Sequence, residues 1–290
     1  MNFINTYNID YLKNINKHDR DDNIVFYEPT HTYTILTDNN TKYTSVTTWI
    51  HSLFEQFNAD KIIQKMMQSK NWQLGHKYYG MTSQQIKDLW NQNKNDAANM
   101  GTQLHYLIEC FMNLGQYITQ DKNNQPNLGK LLSYYNINQH CLDKCKNHNF
   151  DVHKEFNYFI SFVSKFHHFI PYRTEWNIYD EDLKFSGSID MVFKDENDKF
   201  HIFDWKRSKE IVKTKSWLSF SINNKLSHIP DTNFWHYSLQ LNTYKKILKN
   251  KYNMDIETMY LVCLHPDNIN NSYILFKVPD LQNDLNSLFS

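Results

Sequence analysis

The sequence predicts an α/β fold in which a mixed β-sheet is flanked by helices. A strongly helical pattern covers residues 97–114, and a second helical stretch with a wide apolar face follows at 150–170. A helical pattern over 232–250 leads into a further apolar segment at 256–264. Between these helices lie three strand-like segments, 173–179, 184–194 and 199–206. The expected core order is therefore helix, three antiparallel strands, helix and strand.

The chain ahead of this core is expected to add a β-hairpin and a helical extension. Residues 24–36 alternate as a strand does, a turn follows, and "YTSVTTWI" predicts a second strand that runs into a helix over about 47–68. A further helix, capped by Thr82 or Ser83, is predicted to reach Trp90. Residues 1–22 are polar and are expected to form a loosely attached arm. We therefore divide the chain into an extension at 1–96 and a core at 97–290.

Composition bounds the class of protein. The 290 residues are 40% hydrophobic and 21% charged, which predicts a folded globular core. The net charge is zero, so a polyanionic partner has to be met by a local patch. No apolar run approaches the about 18 residues of a membrane span, and the first residues lack the apolar core of a signal peptide. These features predict a soluble intracellular protein without a membrane partner.

Four cysteines are too few for a disulfide framework and indicate a reducing compartment. Cys141, Cys145 and His148, with His140 as a fourth ligand, suggest a zinc site. Adjacent residues on a helix point about 100° apart, however, so His140 and Cys141 rarely converge on one metal. Buried or surface thiols are the preferred interpretation.

Two aspartates, Asp190 and Asp204, interrupt the apolar runs of consecutive predicted strands. In a hairpin centred on residue 197 they lie directly opposite each other, with Cβ atoms about 5 Å apart. Lys206 shares their face one step along the strand. A solvent-facing charged pair relieved by Lys206 is one interpretation. The apolar neighbours favour a divalent cation held between the carboxylates, since oxygen ligands suit Mg²⁺ or Mn²⁺.

Two helices bring further polar side chains to the candidate site. Gly101, His105 and Glu109 recur at intervals of four residues and therefore share one helix face. His105 either completes the metal site or is a hydrogen-bonded core histidine. Gln240 and Tyr244 share a face of the helix at 232–250, where a polar pair on an amphipathic helix is the alternative.

Together these residues resemble the motif series of the RecB-type nucleases in the PD-(D/E)XK superfamily. The segment "TSVTTWI" at 44–50 is similar to one ahead of the core in the family of the mitochondrial genome maintenance exonuclease and its viral relatives. The resemblance covers roughly residues 31–265, with the five signals in the family's order and approximate spacing. They are Gly101-x-x-x-His105, Glu175, Gly187-Ser-Ile-Asp190, Asp204-Trp-Lys206 and Gln240-x-x-x-Tyr244.

The resemblance implies a restriction-endonuclease-like core of αβββαβ order, and it implies a role for each matching residue. The ligands of one or two Mg²⁺ or Mn²⁺ ions are expected to be His105, Asp190, Asp204 and the main-chain carbonyl of Trp205. Lys206 is expected to hold or activate the attacking water. Glu175 is expected to act on the cation through other ligands or through water, unless it is a surface acid. The catalytic set is then Lys206, Asp204, Asp190 and Glu175.

Two positions depart from the family pattern. The family usually places Thr or Ser directly after the lysine, whereas here Arg207 intervenes before Ser208. The iron–sulfur branch needs several cysteines beyond the helix with Gln240, and only Cys263 lies there. No iron–sulfur cluster is therefore expected.

A local basic region follows the predicted hairpin. Residues 206–225 hold six basic side chains and one acid, with Trp217 and Phe220 among them. Basic groups that follow phosphates and aromatic rings that stack on bases suit single-stranded nucleic acid, whereas a solvated loop is the alternative. The expected DNA-contacting residues are Gln240, Tyr244, Arg207, Ser208, Lys209, Lys213, Lys215, Trp217, Gly101, Thr102, Ser45 and Thr47.

The predicted function is a metal-dependent DNA exonuclease that prefers single strands or strand ends, acting in DNA replication, repair or recombination. An endonuclease or an RNA-cleaving enzyme on the same fold is one alternative. A DNA-binding module without catalysis is the other. The sequence does not indicate a protein partner.

Overall fold

A computed structural model describes residues 8–38, 41–147, 149–214 and 219–290. The protein has an α/β architecture in which a mixed β-sheet is flanked by helices, so this part of the predicted fold is confirmed. Within the described ranges, no helix combines the length and the apolar character needed to cross a membrane.

Helices and strands are numbered in chain order. The helices α1 to α8 are Tyr11–Ile15, Val46–Ser52, Ala59–Met67, Ser83–Met112, Leu128–Ile137, His153–Lys165, Asn233–Tyr252 and Gln282–Phe289. The strands β1 to β8 are Ile24–Tyr27, Thr32–Ile35, Thr44–Ser45, Ile170–Asp180, Phe185–Lys194, Phe200–Lys206, Ile256–Cys263 and Ile274–Lys277.

The larger sheet has the order β3-β5-β6-β7-β8, and β4 pairs along β5. Strands β4, β5 and β6 are antiparallel neighbours, whereas β6 and β7 run parallel, as do β3 and β5. Because β4 occupies one edge of β5, its other edge is shared: residues 185–186 pair with β3 and residues 191–194 pair with β6. Strands β5 and β6 therefore separate before residue 191, which leaves a gap inside the sheet.

Apolar side chains bury both faces of the sheet. Val192 and Ile202 belong to the cluster that packs against α2 and α7. Their strand neighbours Phe193 and Phe203 belong to the cluster that packs against α4 and α6. This alternation follows from the two-residue period of a strand. The gap between β5 and β6 is thus enclosed between two helical layers.

The predicted helix at 47–68 is in fact two helices, α2 and α3. Between them the chain turns and buries Leu53 and Phe54. A new helix then starts at Asn58, whose side chain accepts a hydrogen bond from the Lys61 N–H. Burial of two large apolar side chains outweighs the helical propensity of the intervening residues.

The helices predicted to end at Trp90 and to begin near residue 97 are one continuous helix, α4. It begins with a capping box formed by Thr82 and Gln85. Residues 91–99 are all exposed, so they show no apolar periodicity from which a helix could be predicted. The long helix carries His105 toward the gap in the sheet.

The described part of the N-terminal segment is attached to the core, contrary to the expectation of a loose arm. Asp21 Oδ2 lies 2.6 Å from a guanidinium nitrogen of Arg173 on β4, and both side chains are buried. The indole N–H of Trp176 donates to Asp21 Oδ1 at 2.8 Å. A buried ion pair with additional hydrogen bonds holds this segment on β4.

Changing Asp21 to asparagine is expected to lower the free energy of unfolding by about 1.5–3 kcal/mol, because a charge-assisted hydrogen bond to the buried Arg173 is lost. Urea denaturation measures the change. The control is Asp22→Asn at the adjacent exposed carboxylate, which should alter the free energy by no more than about 0.5 kcal/mol. Equal effects of the two variants would show that the buried pair has no special role.

Candidate metal and nucleic-acid site

The two aspartates of the hairpin lie where β5 and β6 separate. The ladder between these strands ends at Met191 and Phe203, in the register that the sequence predicts. One further step in this register sets Asp190 opposite Asp204. Here the Trp205 N–H donates a 2.8 Å hydrogen bond to Asp190 Oδ2. A carboxylate thus bridges the point of separation.

A histidine and two carboxylates form the centre of the site. His105 Nδ1, on α4, lies 3.3 Å from Glu175 Oε1 on β4 and 3.8 Å from Asp190 Oδ2 on β5. One possible ligand atom from each residue lies within 4.8 Å of the others. We refer to these three residues as the His–Glu–Asp group. Its members come from one helix and from two consecutive strands, and His105 precedes Glu175 by 70 positions.

Glu175 reaches this group from a strained backbone conformation. Its φ is 44°, in the left-handed region, although it lies within a strand. The residues on either side, Thr174 and Trp176, keep their pairing with β5. Such a conformation costs about 1–3 kcal/mol and is found preferentially at functional sites. In the structure Glu175 therefore contacts His105 directly. The sequence instead predicts that Glu175 acts on the cation through other ligands or through water.

The main chain of Trp205 orients the imidazole. His105 Nε2 lies 3.0 Å from the Trp205 carbonyl oxygen, which accepts its hydrogen bond. In the neutral imidazole the proton then lies on Nε2, which leaves Nδ1 facing the carboxylates as a possible metal ligand. The sequence predicts this carbonyl as a metal ligand, whereas in the structure its contact is with His105. A histidine held in this way presents its other nitrogen in a fixed direction.

Asp204 lies beside the His–Glu–Asp group and contacts Lys206. The Lys206 ammonium is 2.6 Å from Asp204 Oδ2, and the Asp204 side chain is 3% exposed. The two groups therefore form a buried, charge-assisted ion pair. Asp204, predicted as a metal ligand, thus pairs with the predicted catalytic lysine.

Neighbouring charges raise the pKa of several groups in the site. Burial opposes the charge of His105, but the carboxylates of Asp190 and Glu175 overcome it and raise the pKa of His105 to about 9. Burial, followed by the charge of Asp190, raises the pKa of Asp204 to about 7. Burial also opposes the charge of Lys206, but Asp204 and Asp190 raise its pKa. A divalent cation that binds here therefore displaces protons.

Three residues adjoin the site that the predicted set leaves out. Burial and then the charge of Glu175 raise the pKa of Glu109 to about 8. Burial, followed by the negative charge of Glu175, raises the pKa of Tyr33 on β2 to about 12. The Lys206 ammonium lies 4.5 Å from the centroid of the Tyr237 ring. Helical spacing already places Glu109 on the face of His105 and could have indicated Tyr237, but the docking of β2 has no signal in the sequence.

The pKa of Glu109 predicts how stability depends on pH. An acid whose pKa rises from 4.5 to about 8 on folding keeps its proton up to a higher pH in the folded state than in the unfolded state. The free energy of unfolding therefore falls as the pH rises through this interval. Replacing Glu109 by glutamine should flatten the decline of the melting temperature between pH 5 and 8, measured in chelator.

The control for this prediction is Glu196→Gln, at an exposed acid in the hairpin loop, which should keep the wild-type slope. A Glu109→Gln variant with the wild-type slope contradicts the prediction.

The polar pair on α7 is joined to its surroundings. Gln240 Nε2 donates to the Tyr244 hydroxyl at 3.1 Å and, in a long contact of 3.5 Å, to the Thr47 hydroxyl on α2. Tyr244 is buried against Gly187 of β5, where a Cβ atom would lie 2.6 Å from the Tyr244 ring. Gly187 thus permits the ring to pass directly over the strand that carries Asp190.

Replacing Gly187 by alanine is expected to destabilise the protein by about 1–3 kcal/mol, because the buried Tyr244 ring cannot move aside. The urea midpoint measures this change. Gly101→Ala is the control, since a Cβ there meets no described atom within 4 Å, and alanine favours a helix interior by about 0.5–1 kcal/mol. A Gly187→Ala variant as stable as wild type would contradict the close approach.

Three of the predicted DNA contacts are engaged within the protein. Arg207 Nε donates to Glu155 Oε1 at 2.8 Å, and both side chains are largely buried. Ser45 caps α2 by accepting a hydrogen bond from the Thr48 N–H. The Ser208 hydroxyl donates to a main-chain carbonyl two residues further on. For Arg207 in particular, the predicted contact competes with a buried ion pair.

Tyr244 is buried, so the predicted DNA contact of its ring is not available, and Gln240 and Thr47 are engaged with each other. The remaining predicted DNA contacts lie on open surface or outside the described residues. Thr102, Lys209 and Lys213 are exposed. Gly101 has open space beside it among the described residues, so the surface near His105 is accessible. Lys215 and Trp217 lie outside the described residues.

The cysteine cluster considered for zinc has other contacts. His140 Nδ1 lies 2.8 Å from Asp143 Oδ2, and the Cys145 thiol interacts with that of Cys110. His148 lies outside the described residues. The Cys263 thiol, beyond α7, donates to the Ser208 carbonyl.

The donors of the His–Glu–Asp group fit a divalent cation. An imidazole nitrogen and carboxylate oxygens suit Mn²⁺, and the oxygens alone suit Mg²⁺. The ligand atoms lie close enough to share one ion, and the charge of the Asp204 carboxylate is near enough to act on Asp190 and His105. A cation bound by these residues would lie at the point where β5 and β6 separate.

The chain matches no known family model, and a comparison with curated proteins gives no match either. The likeness to RecB-type nucleases thus rests on the motif residues themselves.

Proposed function

We propose that the protein is a divalent-metal-dependent deoxyribonuclease of the exonuclease type, with a restriction-endonuclease-like core. The observation that carries this proposal is the His–Glu–Asp group, which lies beside the Asp204–Lys206 pair at a gap in the sheet. The order α4, β4, β5, β6, α7 and β7, with α5 and α6 inserted between α4 and β4, supports the αβββαβ core. Clusters of ionisable groups with perturbed pKa values occur preferentially at functional sites.

The residues of the site have separable tasks in phosphodiester hydrolysis. His105, Glu175 and Asp190 would hold one or two Mg²⁺ or Mn²⁺ ions, with Asp204 as a further carboxylate beside them. A bound cation lowers the pKa of a coordinated water and neutralises charge on the phosphate. Lys206 supplies a fixed positive charge next to these ligands, where it can stabilise the charge that develops on the phosphate oxygens.

The surroundings of the site support DNA as the substrate. Lys209 and Lys213 follow Lys206 along the chain, are themselves exposed, and can neutralise phosphates that extend from the site. Gln240 of α7 and the open surface at Gly101 border the site on other sides. Because the overall charge of the chain is zero, the electrostatic attraction of DNA phosphates is confined to the surface of this local basic segment.

The proposal is tested with end-labelled linear single-stranded DNA in Mg²⁺, Mn²⁺ or EDTA. We expect release of labelled products in either metal and none in EDTA. Circular single-stranded DNA should remain intact, because an exonuclease needs an end. Binding of DNA without cleavage in either metal would overturn the proposal in favour of a binding module.

Two substrate controls separate the related alternatives. Cleavage of the circular substrate would indicate an endonuclease. Faster cleavage of an RNA of the same sequence would indicate a ribonuclease. Either outcome is compatible with metal-dependent phosphodiester hydrolysis and changes only the substrate that the protein cleaves.

A further inference from the structure

The Lys206 ammonium is held from two sides. It lies 2.6 Å from Asp204 Oδ2 and 4.5 Å from the centroid of the Tyr237 ring. The Lys206 side chain is 17% exposed, so little water shares its charge. A cation over an aromatic face is attracted by the ring quadrupole, and the attraction strengthens when water is excluded.

Tyr237 lies on the face of α7 that borders the site. It precedes Gln240 by three residues and Tyr244 by seven, which is about one and two helical turns. The Tyr237 ring is partly buried against the core cluster of α7 and the sheet. Burial raises the pKa of its phenol, so the ring is neutral at neutral pH and its face keeps its negative potential.

We propose that Tyr237 is a positioning residue that keeps the Lys206 ammonium directed at the His–Glu–Asp group. This inference rests on the proposed nuclease function. In that function both a bound cation and Lys206 draw on the Asp204 carboxylate, so the ion pair alone does not fix the ammonium. The Tyr237 ring face offers no ligand atom to a metal and therefore holds the ammonium without competition.

The contact itself is tested in the metal-free protein. Lysine labelled with ¹³C at the ε-carbon is incorporated into the protein, and the Lys206 signal is assigned by its loss in Lys206→Arg. We expect the ring current of Tyr237 to shift this signal upfield, and Tyr237→Phe to retain the shift. Tyr237→Leu should remove it, whereas Tyr27→Leu, at an exposed tyrosine, should not. A wild-type signal at the position of exposed lysines overturns the proposal.

The positioning role is tested by kinetics on single-stranded DNA. Tyr237→Leu is expected to lower kcat about tenfold, equivalent to about 1.4 kcal/mol, with KM within about twofold of wild type. The Tyr237→Phe variant keeps an aromatic ring and should have the kcat of the wild type. Pentafluorophenylalanine in place of Tyr237 keeps the ring shape but reverses the potential of its face. It should therefore lower kcat as leucine does, which a packing role would not.

The outcomes distinguish this inference from the proposed function. An active wild type with an unchanged kcat in Tyr237→Leu overturns the positioning role alone. Full activity of the pentafluorophenylalanine variant also overturns it, since packing then suffices. A wild type that cleaves no DNA overturns the proposed function instead.

Discussion

Changing Asp190 to asparagine is expected to lower metal-dependent DNA cleavage on the order of a thousandfold. The change keeps the shape of the side chain and an acceptor for the Trp205 N–H. It removes a negative charge from the His–Glu–Asp group, and a bound cation supplies several kcal/mol of charge stabilisation, with about 1.4 kcal/mol for each factor of ten. Initial rates on end-labelled single-stranded DNA measure the loss.

The control is Asp198→Asn in the loop of the same hairpin. The Asp198 side chain is 82% exposed, and its φ of 59° is one that asparagine adopts readily. This variant should keep wild-type rates. Full activity of Asp190→Asn, at an unchanged melting temperature, would rule out the carboxylate as a metal ligand.

Changing Lys206 to methionine is expected to lower kcat about 100- to 1,000-fold, the usual effect of removing one group that stabilises developing charge. Methionine has a similar length and no charge, so the volume beside Tyr237 stays filled. The change also leaves the buried Asp204 without its ion-pair partner. Single-turnover rates at saturating Mn²⁺ separate this loss from weaker metal binding.

Lys199→Met is the control for this prediction, because Lys199 is exposed on the same hairpin. It should leave kcat unchanged. A Lys206→Met variant that retains kcat would show that the lysine serves only to neutralise Asp204.

The hairpin and its acids could be predicted because local patterns specify them. Apolar runs on both sides of a polar loop define the strands, and the two-residue period then fixes the register observed at Met191 and Phe203. The position of His105 on α4 follows from helical spacing. Both arguments need only residues that are close in the sequence.

Other parts of the site depend on tertiary and backbone geometry. No sequence signal indicates that a glutamate in a strand adopts a positive φ, yet this conformation accompanies the contact between Glu175 and His105. The ion pair between Arg207 and Glu155 joins residues 52 positions apart. Asp21 is polar in a polar segment, and its burial is explained only by its distant partners Arg173 and Trp176.

The central claim is that the His–Glu–Asp group holds a divalent cation, and anomalous scattering from crystals soaked in Mn²⁺ tests it most directly. We predict a peak at the manganese edge between His105, Glu175 and Asp190, and its loss in crystals of Asp190→Asn. A wild-type crystal that binds manganese elsewhere and shows no peak at this group would contradict the claim.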